Sequence, residues 1–225
     1  MLLEKLRAAR DTVDLERPTS LDGWLAGDCN GLNFFQIDHA LRQLLPLYMG
    51  ADVLAHMTPH YEHLGEIAGS RLDDLARTAD RHIPVLHTRN ARGQDEDWIE
   101  FHPAYREMEE IAYHDFGIHA MSRRPGVLGW PDKVPPVVKY TFQYIFAQAE
   151  FGLLCPISAT DTSARLIERY GEEETRRRIL PGMWSMDKAD ILKGAQFMTE
   201  KTGGSDVGNI ELSARHEDGN WRLYG

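Results

Sequence analysis

Residues Phe197–Asp206 read Phe-Met-Thr-Glu-Lys-Thr-Gly-Gly-Ser-Asp, a run whose residue types suit the binding of an anion. Thr199 and Ser205 supply hydroxyls that both donate and accept. The Gly203-Gly204 pair lets a ligand approach the backbone with no Cβ in the way, and successive N–H groups in such a turn concentrate positive potential. The run matches neither the Gly-x-Gly-x-x-Gly fingerprint nor a P-loop, which needs Gly-Lys followed by Ser or Thr. Residue chemistry alone therefore describes a polar turn suited to phosphate or a carbonyl, or simply a turn.

Other chemistry-bearing groups have plainer readings. His56, His60 and His63 fall near helical spacing, but Pro59 interrupts them and no Cys or carboxylate completes a ligand set, so no metal site is expected. His102 precedes Pro103 where a helix should open, and is read as a structural or capping residue. Asp161-Thr162-Ser163 has no His placed to activate a hydroxyl and is read as an N-cap. Glu150 is placed on a buried helix and is rejected as a general base. Arg176-Arg177-Arg178 follow Glu172-Glu173-Glu174 at offsets of three and four, which predicts intrahelical pairing rather than a phosphate patch. Trp24, Trp98, Trp130 and Trp184 are read as packing or surface anchors.

These groups must be positioned by elements that the pattern also predicts. An amphipathic helix opens the chain, and helices are expected as far as about residue 190. Thr58-Pro59 reads as an N-cap with Pro at the first helical position, followed by Leu64, Ile67, Ala68, Leu72, Leu75 and Ala79 at helical spacing, with Pro84 beyond the end. Arg89–Asp97 is polar and turn-rich, a surface loop. Pro103 opens another helix. Val137, Thr141, Tyr144, Ile145, Gln148 and Gly152 form one stripe of a helix buried between neighbours, which Cys155-Pro156 kinks or interrupts. A helix through Arg165–Tyr170 stops at Gly171, and a short charged one follows over 172–180. Near residue 191 the style changes. Ile191–Met198 is apolar enough for a strand, and Asn209–His216 and Asn220–Tyr224 flank Glu217-Asp218-Gly219 as a hairpin. The fold class is thus mainly α: a helical domain over 1–190, then the opening strands of a β domain over 191–225, too few to be stable alone.

The bulk composition fits a protein with an ordinary buried core: 42% of residues are hydrophobic and the mean hydropathy is −0.44. The N-terminus becomes charged within a few residues, so it lacks the apolar stretch of a secretory signal, and no run approaches the roughly 18 apolar residues of a membrane span. The net charge of −10 disfavours a grip on nucleic acid by these residues. Cys29 and Cys155 share no redox or metal spacing, which suits reduced thiols in a cytoplasmic protein.

The order of types adds more. Met-Thr-Glu-x-x-x-Gly-Ser-Asp, after a long helical region and before a hairpin ending Trp221-Arg222-Leu223-Tyr224-Gly225, resembles the acyl-CoA dehydrogenase family. Lys201 stands where most members have Pro. That variant, with Phe101–Met108 (Phe-His-Pro-Ala-Tyr-Arg-Glu-Met), Leu154–Thr160 (Leu-Cys-Pro-Ile-Ser-Ala-Thr) and the polar loop before the first of these, is similar to the AidB-like, adaptive-response branch. The resemblance covers roughly residues 75–225, and residues 1–70 remain an unassigned helical extension.

The resemblance implies an N-terminal helical-bundle domain followed by the first strands of an incomplete β-barrel domain, with FAD as cofactor. It implies that the backbone of Met198 and the backbone and hydroxyl of Thr199 meet the flavin ring, with Gln196 and Phe197 along the same strand. Gly204 and Ser205 would meet the pyrophosphate, and Ser205 the acyl-CoA as well. The family reaction removes a proton α to the thioester while hydride passes from the β carbon to flavin. Its base is a carboxylate of a C-terminal domain beyond these residues, so no catalytic residue is expected here and the chain alone should be inactive. An electron acceptor such as electron-transfer flavoprotein is implied, and a homo-oligomer only for the full-length protein. Two other readings remain open: a DNA-protective flavoprotein of the alkylation response, and a non-catalytic fragment that binds partners.

Overall fold

The computed structural model describes residues 29–225, so the expected N-terminal amphipathic helix and Trp24 lie outside the described residues. The first elements are α1 (Phe34–Ile37) and α2 (His39–Tyr48), each opened by a side-chain cap. Asn33 accepts from the amides of Phe35 and Gln36 at 3.1 Å, and Asp38 from Leu41 at 2.8 Å.

A long rod follows. Helix α3 (Ala51–Ile67) passes through a π-helical turn (Ala68–Leu72) into α4 (Asp73–Asp80). The helix therefore starts well before Thr58-Pro59, which does not cap it: Pro59 sits inside, and the Thr58 hydroxyl donates to the carbonyl of Leu54 at 2.7 Å. An interior proline removes a backbone hydrogen bond. Burial of Met57, Tyr61 and Leu64 on the inner face, all fully shielded, holds the helix together regardless.

After Pro84 the chain forms β1 (Val85–Arg89) and β2 (Asp95–Glu100), an antiparallel hairpin. The expected loop at Arg89–Asp97 is thus the tip and second strand of that hairpin, and the stretch is not wholly helical. Nearly every residue of both strands is solvent-exposed, so one-face-buried alternation, the usual sequence signal, is missing. His87 stacks on Trp98 with centroids 4.3 Å apart, and Leu86 opposes Ile99.

Helix α5 (Pro103–Glu109) opens at Pro103 as expected, with His102 as its cap: the ring Nδ1 accepts from the amide of Ala104 at 3.1 Å. It runs into a second π-helical turn, Glu110–Asp115. A 3-10 turn (Val127–Gly129) leads to α6 (Pro136–Ala147), α7 (Leu154–Tyr170) and α8 (Glu173–Met183). The buried stripe of α6 is Val138, Thr141, Phe142, Ile145 and Phe146: Thr141 and Ile145 lie on it as expected, while Val137 is half-buried, Gln148 and Gly152 are exposed, and Tyr144 faces outward to donate to Asp38. Cys155-Pro156 does not kink a helix. It lies in the first turn of α7, where a missing N–H costs nothing. Gly171 stops α7, and Arg176 and Arg177 pair with Glu173 within α8.

The core joins α1, α3, the π turns, α5 and α6. A line of rings runs through it: Phe35 to Tyr61 at 5.5 Å, Tyr61 to Phe142 at 4.7 Å, Phe142 to Phe116 at 5.8 Å. One ionic cluster is buried beside it. Lys139 of α6 and Arg123 flank Asp161 of α7 at 2.7 and 3.0 Å, and Arg123 also meets Glu168 at 2.7 Å. Asp161 therefore serves as a buried counter-ion in mid-helix and caps nothing, because α7 begins two turns earlier than the N-cap reading required.

The chain ends in β3 (Ser213–Glu217) and β4 (Asn220–Tyr224), paired antiparallel. Asp218 (φ 52°) and Gly219 (φ 78°) make the two-residue turn with both central φ values positive, as Asp-Gly predicts. Among the described residues no helix is long and apolar enough to cross a membrane.

Candidate functional site

The approach to the motif is set by the helices. Residues 191–199 run without a strand partner among the described residues, so the expected strand over Ile191–Met198 does not form. Its early backbone groups go elsewhere: Leu192 donates to the carbonyl of Gly182 in α8 at 3.0 Å, and Gly194 to the hydroxyl of Thr160 in α7 at 3.0 Å. Glycine is required at 194, since a Cβ there would lie 2.6 Å from the side chain of Ser163. Lys193 pairs with Glu109 and sits over the Tyr113 ring at 5.2 Å.

Beyond Gly194 the chain stands clear of the helices. Phe197 is 96% exposed and Met198 about half. Glu200 and Gly203 then exchange two backbone hydrogen bonds, at 3.0 and 3.3 Å, which closes a turn over Lys201 and Thr202. A Cβ on Gly204 would meet the Thr199 side chain at 3.3–3.4 Å, so Thr199 stands beside the space that the missing side chain of Gly204 leaves. Among the described residues, the amides of Met198, Thr199, Gly204 and Ser205 and the hydroxyls of Thr199 and Ser205 donate to no group of the chain. Gln196 is exposed in the same stretch. An unpaired lip and a closed turn, with unspent donors along both, make up the candidate cradle.

Three parts of this region escaped sequence reasoning. Glu200 turns its carboxylate onward to accept from the amides of Glu211 at 2.6 Å and Leu212 at 3.1 Å. Thr160 fixes Gly194 from a helix far back in the chain. An open cleft of about 750 Å³ lies between the second π turn and residues 185–190, lined by Glu110, His114, Asp115, Arg124 and Lys188 among others. No spacing rule links such distant partners.

Two histidines hold the wall of that cleft. His114 Nδ1 bonds the carbonyl of Met186 at 2.5 Å, and His119 Nε2 that of Ser185 at 2.9 Å. His119 is buried, and its Nδ1 has no partner among the described residues. Burial holds it mostly neutral, depressed from 6.5 to about 4, against the opposing pull of the Ser185 carbonyl. The depressed value means that the unfolded chain binds the extra proton first. Stability is complete above pH 6.5 and falls as pH drops toward 4, by about 3 kcal/mol if His119 acts alone. Urea midpoints measured across that range should show this slope, and His119→Gln should flatten it. An unchanged slope in the variant would assign the acid lability to other groups.

The remaining candidates resolve simply. His56 bonds the carbonyl of Leu128 at 2.9 Å, and burial lowers the pKa of His60, helped by His56 and His63. Among the described residues no group of three His, Cys, Asp or Glu side chains is arranged to hold a metal ion. Glu150 lies in the turn after α6 and not on a buried helix, and its carboxylate accepts from the amide of Leu153 at 3.0 Å.

Known proteins share this architecture. The family described as adaptive response protein AidB N-terminal domain matches residues 26–187, and so takes in part of the extension that the sequence motifs left unassigned. Acyl-CoA dehydrogenase family member 11 of Caenorhabditis elegans is 25% identical over 198 residues, covering 84% of this chain and 30% of that protein. The putative acyl-CoA dehydrogenase AidB of Escherichia coli K12 is 29% identical over 164 residues, covering 68% of this chain and 29% of that protein. Among solved structures, Bd2924 in its apo form aligns with a TM-score of 0.72 at 28% identity, over 86% of this chain and 39% of that one. The C. elegans ACDH-11 structure in complex with C11-CoA aligns with a TM-score of 0.71 at 20% identity, over 92% of this chain and 37% of that one, a likeness of fold. The chain spans about a third of the length of these relatives. The helical domain followed by partial strands is the N-terminal architecture of an acyl-CoA dehydrogenase. Within that class, the chain belongs to the AidB-like family.

Proposed function

We propose that residues 196–205 form one wall of an FAD site in an acyl-CoA dehydrogenase, and that the chain alone does not turn over. In this reading residues 1–190 are the helical domain, carrying the β1–β2 hairpin, and 191–225 open the β domain. The observation that carries it is the closeness of the Thr199 side chain to Gly204, in a lip and turn whose donors are unspent among the described residues. The residues fit the group: a glycine where a phosphate needs close approach, and amide and hydroxyl donors where a flavin edge needs them. The amides of Met198 and Thr199 and the Thr199 hydroxyl would donate to the flavin pyrimidine edge, with Gln196 and Phe197 beside the ring. Gly204 and Ser205 would receive the pyrophosphate, and Ser205 would also contact the acyl-CoA. Bound FAD would accept hydride from the β carbon of the thioester. The base for the α proton, like the electron acceptor, is assigned outside these residues.

Titration of FAD against the chain, followed by flavin fluorescence, tests the site. Saturable binding is expected, weakened about 5- to 30-fold by Thr199→Ala or Ser205→Ala, the loss of one hydrogen bond to a charged or polarised group. No saturable binding, or binding indifferent to both substitutions, would overturn the reading. Acyl-CoA-dependent reduction of a dye by the chain at ordinary flavoenzyme rates would overturn its inactivity.

A further inference from the structure

We propose that Glu200 is a positioning residue of the cradle: its carboxylate clamps the glycine turn to the segment that leads into β3, and so sets the spacing between the Thr199 and Ser205 donors. The inference rests on the flavin reading above for its functional consequence, while the clamp itself is a property of this chain.

The geometry makes Glu200 the junction of three segments. Its backbone pairs with Gly203 across the turn. Its side chain reaches forward, Oε2 accepting from Glu211 at 2.6 Å and Oε1 from Leu212 at 3.1 Å. A carboxylate that accepts two backbone amides makes charge-assisted hydrogen bonds, stronger and more directional than neutral ones. Thr199 precedes this junction and Gly204 follows the paired Gly203, so both contact residues are held by their immediate neighbours. The remaining restraint is the 3-10 turn Val207–Asn209, closed by one bond from Asn209 to Asp206 at 3.2 Å. Without the carboxylate, no hydrogen bond among the described residues would join the segment before β3 to the turn except that of the connector.

The clamp also answers an electrostatic problem. A glutamate within a turn that receives phosphate would repel its ligand if its charge faced the same way. Here the negative charge is drawn to the two forward amides, while Lys201 at the tip adds a cation to the receiving turn. Glu200 need not touch the cofactor to matter: it keeps the donors in place and its own charge turned aside.

The test uses the 225-residue chain with Glu200→Ala, Glu200→Gln and Glu200→Asp, and two readouts. The first is amide hydrogen exchange at Glu211 and Leu212 without flavin. The second is FAD affinity together with the fine structure of the bound flavin's visible band. Far-UV circular dichroism and the thermal midpoint of the helical core should stay unchanged, since among the described residues the hydrogen bonds of Glu200 go to Gly203, Glu211 and Leu212 and none to a helix. Glu200→Ala is expected to accelerate exchange at both amides and weaken FAD about tenfold or more, with loss of band fine structure. Glu200→Gln keeps one acceptor oxygen and should recover part of both signals; Glu200→Asp is too short to reach both amides. Unchanged exchange in Glu200→Ala overturns the clamp whatever the flavin does. Accelerated exchange with unchanged FAD affinity, in a chain whose binding still depends on Thr199 and Ser205, overturns the positioning role and leaves the flavin site standing. Absence of FAD binding to the unmutated chain overturns the flavin site, and with it the positioning role, while exchange still judges the clamp.

Discussion

Replacing Asp161 by alanine should destabilise the chain by about 3–5 kcal/mol, the cost of removing one partner from a buried ion pair. The side chains of Lys139, Arg123 and Asp161 are only 8%, 15% and 11% exposed, so water does little to screen a survivor. Arg123 keeps Glu168, at 2.7 Å, after the change. Among the described residues Lys139 keeps the face of the Tyr140 ring, 4.6 Å away, and no carboxylate partner. The damage should therefore centre on the lysine. Replacing both partners with apolar residues of similar size, Lys139→Met with Asp161→Leu, should restore most of the loss, because an apolar pair in that position carries no stranded charge. Urea unfolding of the two variants checks the pair: an unfolding free energy for Asp161→Ala within about 1 kcal/mol of the parent, or no recovery in the double variant, would show that the cluster is better hydrated than its burial indicates.

Gly69→Ala should also be severe, although intrinsic preference favours it. In an exposed helix the exchange gains up to about 1 kcal/mol. Here a Cβ would fall 1.7 Å from the carbonyl oxygen of Leu32 and 3.0 Å from the Phe34 ring. The obstacle is backbone, which cannot swing aside as a side chain can. The Gly31 amide also donates to the Gly69 carbonyl at 2.6 Å, so parting the two segments breaks that bond as well. A net loss of about 3 kcal/mol or more is expected, in the range of overpacking with a broken buried contact. Gly50→Ala is the control: nothing lies within 4 Å of its added Cβ and its φ of −60° suits any residue, so its thermal midpoint should barely move.

The contrast between Gly69 and Gly50 also shows what a linear sequence conveys. Local punctuation was legible: Pro103 opens a helix, Gly171 closes one, Asp218-Gly219 turns a hairpin, and the Glu173–Arg176 pair needs only helical spacing. Each of these is decided by neighbours within four residues. Pro59 misled because the burial that keeps its helix intact comes from α1 and α6. Asp161 misled because a polar triplet resembles a cap until the helix start, seven residues earlier, is known. The β1–β2 hairpin lacks the buried face that would mark it in sequence, and the apolar content of Ile191–Met198 suggests a strand that has no ladder to join. Of the cradle, the residue types of the turn were plain, but the two amides that Glu200 holds lie 11 and 12 residues further on and leave no mark on composition or period.

The stretch from Ile191 to Thr199 has a mechanical meaning. It is pinned to the helices as far as Gly194 and then runs free, so the helical core and the cradle need not melt or fluctuate together. The core should behave as a rigid anvil. The lip beyond it, residues 195–199, makes no hydrogen bond among the described residues and is free to take other shapes, of which only some would align the donors. A ligand seated there must bear the entropy of choosing one, so its measured affinity reports the stiffness of five or so residues as much as the contacts they make. Whatever covers the exposed Phe197 in a larger assembly would tighten the site without adding a single bond to the ligand.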